Sequence, residues 1–253
     1  PHYLSGIILN QGDRIMIDKM VGKTEVALYG LAYSIGMLVQ LFISGMNSAL
    51  TPWMYSKIKK GDIRSMRKVL QLLSVVVVGI AVALMLISPE LVLIFGSPKY
   101  REAVYVIPPV AASVFFIFVY NILSMPQFYY EKTQFLMAAS MAAAGANVVL
   151  NFIFIRLFGY IAAGYTTLAC YMLYSVGHYI VSKQILVNEG IQENLMNPGF
   201  LLACSVFLIG ASIICNLIFP YRILRYAILL ASAGLVFWKK ELLLKTMADI
   251  RKK

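Results

Sequence analysis

Short polar loops divide this chain into apolar stretches, each about as long as a bilayer is thick. A bilayer crossing needs about 20 apolar residues in a helix. Helices are the only economical solution there, because lipid cannot satisfy an exposed backbone. The alternation expected of a membrane β-barrel strand is absent. The pattern predicts eight helices, at about 2–20, 25–56, 67–95, 101–130, 133–157, 160–186, 199–219 and 221–238. Composition agrees: 60% of the 253 residues are hydrophobic, 13% are charged, and the mean hydropathy is +0.79. An ordinary soluble domain is near half apolar and a quarter charged. The chain is therefore not read as a soluble enzyme, a disordered segment or a nucleic-acid-binding domain.

The breaks carry recognisable signals. Lys59-Lys60-Gly61-Asp62, Gly96-Ser97-Pro98-Lys99, Glu131-Lys132 and Gly159 each end a helical pattern. The longest polar stretch, 188–198, marks a module boundary. Residues 1–187 form a six-helix unit, and 199–253 form a helical hairpin with a basic tail. The chain starts at Pro1, with no initiating Met and no signal peptide, and is expected to be the back part of a longer protein. The cysteines, Cys170, Cys204 and Cys215, lie in apolar stretches without metal or disulfide spacing, and are read as packing residues.

The net charge of +11 orients the chain. The loops alternate between two sides. One side gathers 14 of the 22 Lys and Arg, mainly Lys57, Lys59, Lys60, Arg64, Arg67 and Lys68 and the tail from Lys239 to Lys253. The other side has seven, including Lys99, Arg101, Arg156, Arg222 and Arg225, and Arg14 lies within the first helix. The positive-inside rule puts the first set and the C-terminus in the cytoplasm. These clusters also suit anionic headgroups.

Polar residues at membrane depth are the informative minority. On a helix, positions three or four apart share a face. Four helices show such stripes: Tyr29, Tyr33, Gly36, Gln40, Asn47 and Thr51; Ser113, Tyr120, Ser124 and Gln127; Thr133, Ser140, Asn147 and Asn151; Thr167, Tyr171, Tyr174 and His178. Single residues of these kinds also serve as inter-helix hydrogen-bonding groups. The second helix carries the longest stripe and is read as lining a cavity. His178 is read as a hydrogen-bonded packing residue.

The first helix contains Asn10-Gln11-Gly12-Asp13-Arg14. Ionisable groups within a span are costly and point to function. The spacing of Asn10, Asp13 and Arg14 lets all three point into one cavity. Asp18 stands four residues beyond Arg14 and can pair with it. An Arg facing such a cavity suits a phosphate, because its planar fork binds bidentately. Pro52, Pro89, Pro108-Pro109 and Pro126 add expected helix breaks, which transporters use at binding sites and hinges. Glu90 is read as meeting the headgroups.

Several segments together resemble a known family. They are Asp13-Arg-Ile-Met-Ile17, Ala27-Leu-Tyr-Gly-Leu-Ala-Tyr-Ser-Ile35, and Asn47-Ser-Ala-Leu-Thr-Pro-Trp-Met-Tyr55 before a basic loop. Ser88-Pro-Glu90 precedes Lys99-Tyr100, and Asn147-Val-Val-Leu-Asn-Phe-Ile-Phe-Ile155 leads into Phe158-Gly-Tyr-Ile-Ala-Ala-Gly-Tyr-Thr-Thr-Leu168. The chain resembles the oligosaccharide flippases of bacterial polysaccharide synthesis (O-antigen and capsule type). Their superfamily also holds multidrug exporters of the MATE type and the lipid II flippase.

The resemblance implies an all-α integral membrane fold. The chain would be a MATE-like transporter lobe from a protein about twice as long, with two six-helix lobes facing a central cavity and an additional C-terminal hairpin. It implies a transporter rather than an enzyme, in the bacterial cell membrane. The activity would be alternating-access transfer of undecaprenyl-pyrophosphate-linked oligosaccharide to the outer leaflet. Asn10, Asp13, Arg14, Tyr29, Tyr33, Gln40, Asn47, Tyr120, Gln127 and Asn147 are the expected cavity residues. Tyr29 and Tyr33 would stack on sugar rings, Gln40 and Asn47 would bond hydroxyls, and Arg14 would meet the pyrophosphate. The partners implied are the lipid-linked substrate, membrane lipids and other polysaccharide-assembly membrane proteins, with no nucleic acid. No cofactor is expected, and coupling to H⁺ or Na⁺ is left open. The alternative is an H⁺- or Na⁺-coupled exporter of small cations, which would favour acidic cavity groups.

Overall fold

The computed structural model describes residues 2–238. The helices are α1 (His2–Met20), α2 (Lys23–Gly36), α3 (Leu38–Lys59), α4 (Ile63–Phe95), α5 (Ile107–Tyr129), α6 (Gln134–Phe158), α7 (Ala162–Asn188), α8 (Pro198–Ile218) and α9 (Arg222–Trp238). A 3-10 stretch, Pro98–Val106, leads into α5. Among the described residues there is no strand. The protein is an all-α membrane protein. The basic tail expected at 239–253 lies outside the described residues.

The core is built around α5. Its side chains are buried along nearly the whole helix, from Ile107 to Gln127. It packs against α3, α4, α7 and α8, while α6 joins α7 to α1. Pro108 and Pro109 do not break α5. They fall in its first turn, where the missing N–H groups have no intrahelical partner to lose. Pro52, Pro89 and Pro126 likewise lie inside continuous helices.

The helix expected over 25–56 is two helices. The division falls at Gly36-Met37, where Met37 leaves helical geometry with ψ near 0°. The cause is a close approach rather than a proline. A Cβ on Gly36 would lie 2.6 Å from Val110 Cγ1, so only glycine lets α2 seat against the start of α5. The polar stripe predicted for one long helix is thus shared between two axes.

Among the described residues, five segments are long and apolar enough to cross a membrane: Lys23–Lys59, Ile63–Phe95, Pro98–Tyr129, Gln134–Phe158 and Pro198–Ile218. Eight spans were expected. In α7 the apolarity is diluted by a buried row that includes Thr166, Thr167, Ser175, His178 and Ser182. In α1 the dilution comes from Asn10, Gln11, Asp13, Arg14, Asp18 and Lys19, and α9 has 17 described residues. Large apolar side chains lie on the outside, with Leu217 68% and Ile223 86% exposed, as suits a lipid-facing surface.

The loops are tied by specific contacts. Asp62 caps α4 by accepting from the Ser65 N–H, and it pairs with Lys57 Nζ at 2.7 Å. Gly61, at φ 66°, makes the preceding turn. The segment 189–197 is held by Arg67, whose Nε donates to the Asn194 carbonyl, and by Lys132, which pairs with Glu189. Asn197 then caps α8 through the Gly199 and Phe200 N–H groups.

The hairpin α8–α9 is fastened to α4 at Pro89. Proline there removes one backbone donor and leaves carbonyls of the preceding turn in need of partners. Ser88 Oγ donates to the Met85 carbonyl, and Arg225 Nη1 reaches across from α9 to the Leu86 carbonyl at 2.6 Å. Arg225 also binds Glu90 bidentately, at 2.8 Å for each nitrogen, and the Tyr226 hydroxyl donates to the same carboxylate. Arg225 is therefore a buried docking residue and not one of the outer-loop charges, and Glu90 meets Arg225 rather than lipid.

Candidate functional site

The first site is assembled from α1, α2, α6 and α7 around one carboxylate. Asp13 is fully buried in the lobe. Its Oδ2 accepts from the Tyr29 hydroxyl of α2 at 2.5 Å and from the Thr167 hydroxyl of α7 at 2.9 Å. Its Oδ1 accepts from Asn151 Nδ2 of α6 at 2.5 Å. Asn151 Nδ2 also lies 3.1 Å from Asn147 Oδ1, one helical turn away, and the Thr166 hydroxyl donates to Asn151 Oδ1. Each position follows from helix periodicity: Asn147 and Asn151 share a face of α6, and Thr166 and Thr167 sit in the second turn of α7 opposite it.

Three neutral donors thus converge on a carboxylate, and no Lys, Arg or His contacts it among the described residues. A carboxylate away from water is stable only when its acceptors are filled and its charge is balanced. The hydrogen bonds fill the acceptors. A buried carboxylate ringed by two hydroxyls and one amide N–H can take up a proton, and its own oxygens with those of the hydroxyls are the hard donors a small cation prefers. The neighbours of Asp13 are Tyr, Asn and Thr side chains rather than the His and Cys side chains that transition metals prefer.

Arg14 goes elsewhere. Successive helical residues are turned by about 100°, and while Asp13 enters the lobe, Arg14 stays half-exposed at its edge. Its Nη1 donates to Gln11 Oε1 at 2.6 Å, and its guanidinium lies 5.3 Å from the centre of the Tyr33 ring. It pairs with neither Asp18 nor Asp13. Asp13 and Arg14 therefore do not share one cavity. The side chain of Asn10 lies outside the described residues.

The other expected cavity residues separate into groups. Tyr33 adjoins the Asp13 site, its ring 5.8 Å from that of Tyr29. Both tyrosines are buried, with Tyr29 held by its hydroxyl. Tyr120 and Gln127 belong to a second cluster with α7. Gln127 Nε2 lies 2.8 Å from His178 Nδ1, and the Tyr120 ring packs against Tyr171, Tyr174 and His178. Gln40 and Asn47 stand apart on α3, half-buried, each with a buried amide oxygen that has no hydrogen-bond partner among the described residues.

Sequence reasoning placed Asn147 among the cavity residues but left Asn151, Thr166 and Thr167 out of that set. The signal was present in part: Asn147 and Asn151 are an i, i+4 amide pair in an apolar helix. What the sequence lacks is the crossing that sets α6 and α7 against Asp13, more than 130 positions away.

The comparisons with known proteins bear on this arrangement. A family model, MatE, matches residues 4–153, which include Asp13, Arg14, Tyr29, Asn147 and Asn151. The chain is 31% identical over 134 residues to an uncharacterized membrane protein of Haemophilus influenzae, a match covering 50% of this chain and 32% of that one. It is 29% identical over 148 residues to a protein of the Lsg locus of the same organism, covering 55% and 35%. The matched part is thus about a third of the length of these curated relatives. No solved structure gives a significant match. The family model covers more than half of the chain, and on that ground, with the all-helical membrane fold described above, the chain belongs to the MatE family of membrane transporters.

Proposed function

We propose that this chain is the C-terminal lobe of a cation-coupled flippase for lipid-linked oligosaccharides. The observation that carries the reading is the sorting of two adjacent charges on α1. Asp13 is turned into the lobe and held by Tyr29, Asn151 and Thr167, whereas Arg14 is left at the edge beside Tyr33 and Gln11. Asp13 is then the coupling group, exchanging a proton or small cation as the lobe changes its exposure. Arg14 is the anion-facing group, suited to a pyrophosphate by charge and by its bidentate fork. Gln40 and Asn47, with amide oxygens lacking partners, are the sugar-facing candidates. The tail is cytoplasmic in this reading, which places the α4–α5 and α8–α9 turns outside.

A small-cation exporter fits less well. A bulky cationic substrate needs an acidic group exposed on its path, and Asp13 is fully buried in the lobe. The exposed charge beside it is positive.

The test is to replace Arg14 by Ala in the full-length protein and measure surface polysaccharide at matched expression. Losing one charge-assisted contact is expected to reduce delivery about tenfold or more, with partial recovery in Arg14→Lys. Unchanged delivery by Arg14→Ala would refute the anionic-substrate reading. Efflux of cationic dyes by the wild-type protein, lost in Asp13→Asn, would favour the exporter.

A further inference from the structure

A group of cations lines a cavity that shares no residue with the Asp13 site. Between the end of α4, the 3-10 stretch and the α8–α9 turn is a cavity of about 670 Å³. Arg101, Arg222 and Arg225 line it with Glu90 and Glu102, so three positive charges face two negative ones. Glu90 is already committed, bidentately, to Arg225. Arg225 is 3% exposed, and its Nε has no hydrogen-bond partner among the described residues. Arg101 and Arg222 are exposed and enter no ion pair within 4.0 Å among the described residues; Arg222 Nε donates to the Tyr226 hydroxyl at 3.3 Å, and its guanidinium lies 5.4 Å from the centre of the Tyr226 ring. The rest of the wall is apolar, with Val92, Leu93 and Phe219 among its residues. Ile94, Phe95 and Ile223, close in sequence to the lining residues Leu93 and Arg222, are 61–86% exposed.

We propose that this cavity binds the headgroup phosphate of an anionic phospholipid, with Arg101 and Arg222 on the phosphate and the acyl chains along Leu93, Ile94 and Ile223. A free phosphate would use the arginines but not the apolar wall, and a neutral lipid would use the wall but leave the charge excess unmatched. The two surfaces together call for one amphipathic anion. Arginine forks take a headgroup phosphate through charge-assisted hydrogen bonds on either face of a membrane. The bound lipid would bridge the lobe and the appended hairpin, beside the Arg225–Glu90 docking contact.

Native mass spectrometry of the full-length protein, exchanged into detergent with phosphatidylglycerol or phosphatidylcholine, tests the site. Wild-type protein should retain phosphatidylglycerol over phosphatidylcholine by about tenfold, and Arg101→Ala/Arg222→Ala should lose that preference. Arg156→Ala removes an exposed outer charge remote from the cavity and should keep it. Equal retention of the two lipids by wild type, or a preference that survives the double substitution or falls equally in Arg156→Ala, would overturn the proposal. Displacement of phosphatidylglycerol by millimolar inorganic phosphate, or by equimolar undecaprenyl pyrophosphate, would also overturn it, reassigning the site to a free anion or to the transported lipid.

Discussion

Single residues decide how α1 works. Asp13 and Arg14 are neighbours in sequence, yet one is saturated with hydrogen bonds inside the lobe and the other is half-exposed at its rim. Removing a donor to Asp13 should be costly, because the carboxylate is fully buried. Asn151→Ala is expected to destabilise the protein by about 1–3 kcal/mol, seen as a lower thermal midpoint in detergent. Thr167→Val, which keeps the shape but removes the hydroxyl, should cost less because Tyr29 still serves the same oxygen. A loss from Thr167→Val equal to that from Asn151→Ala would contradict this ranking. Asp62 gives a pH-dependent prediction outside the membrane. Its bonds to Lys57 and to Ser65 hold its carboxyl at about 2, against about 3.9 in an unfolded chain. A depressed value adds stability above the unfolded value, and that stability fades as the pH falls from about 4 towards 2. Asp62→Ala should therefore melt lower than wild type near neutrality, by the equivalent of about 1 kcal/mol. The gap should close below pH 4. The ionisable residues of α1 were legible as functional in the sequence, because charge inside an apolar helix is rare. Their opposite destinations were not, since that requires knowing which neighbours pack on each side.

At the scale of elements, two junctions define the architecture. The α2–α3 break has no sequence signal of its own: the apolar pattern continues through it, and no proline stands there. It exists because Gly36 presses on Val110, a residue 74 positions later. Gly36→Val should be strongly destabilising, since the added side chain must displace Val110 or part α2 from α5; a cost of about 1–3 kcal/mol is expected from overpacking. A wild-type thermal midpoint for Gly36→Val would contradict this origin of the break. The α4–α9 junction is similar. Pro89 was read as a break, and Arg225 as a loop charge, but the structure keeps α4 helical and uses Arg225 to satisfy the Leu86 carbonyl and Glu90. A double-mutant cycle of Arg225→Ala and Glu90→Ala should give a favourable coupling of about 1–3 kcal/mol. Additive losses would show that the ion pair does not hold the hairpin. Most helices were legible within a few residues, because span length and loop polarity are local, but 25–56 proved to be two helices and the helix expected from 101 begins at Ile107, behind a 3-10 stretch. The contacts that join them are not local, and no spacing rule gave them.

At the scale of the whole molecule, the polar minority is sorted by depth and by side. One buried cluster surrounds Asp13, a second joins Gln127 to His178 and Tyr120, and the unpartnered amide oxygens of Gln40 and Asn47 lie on α3. The stripes seen in the sequence predicted inward polar faces. They did not show that the faces divide into separate clusters, because the division follows from the α2–α3 break and from the packing of α7 between α5 and α6. In the proposed function the lobe would take up a cation at Asp13 and present Arg14 to an anionic lipid-linked sugar, with coupling and substrate contact adjacent but distinct. The measurement that tests this most directly is translocation of lipid-linked oligosaccharide by the full-length protein in liposomes under an imposed H⁺ or Na⁺ gradient, comparing wild type with Asp13→Asn. The account predicts gradient-stimulated transfer in wild type and transfer indifferent to either gradient in Asp13→Asn, with the variant still folded. Gradient-stimulated transfer that persists undiminished in Asp13→Asn would contradict it.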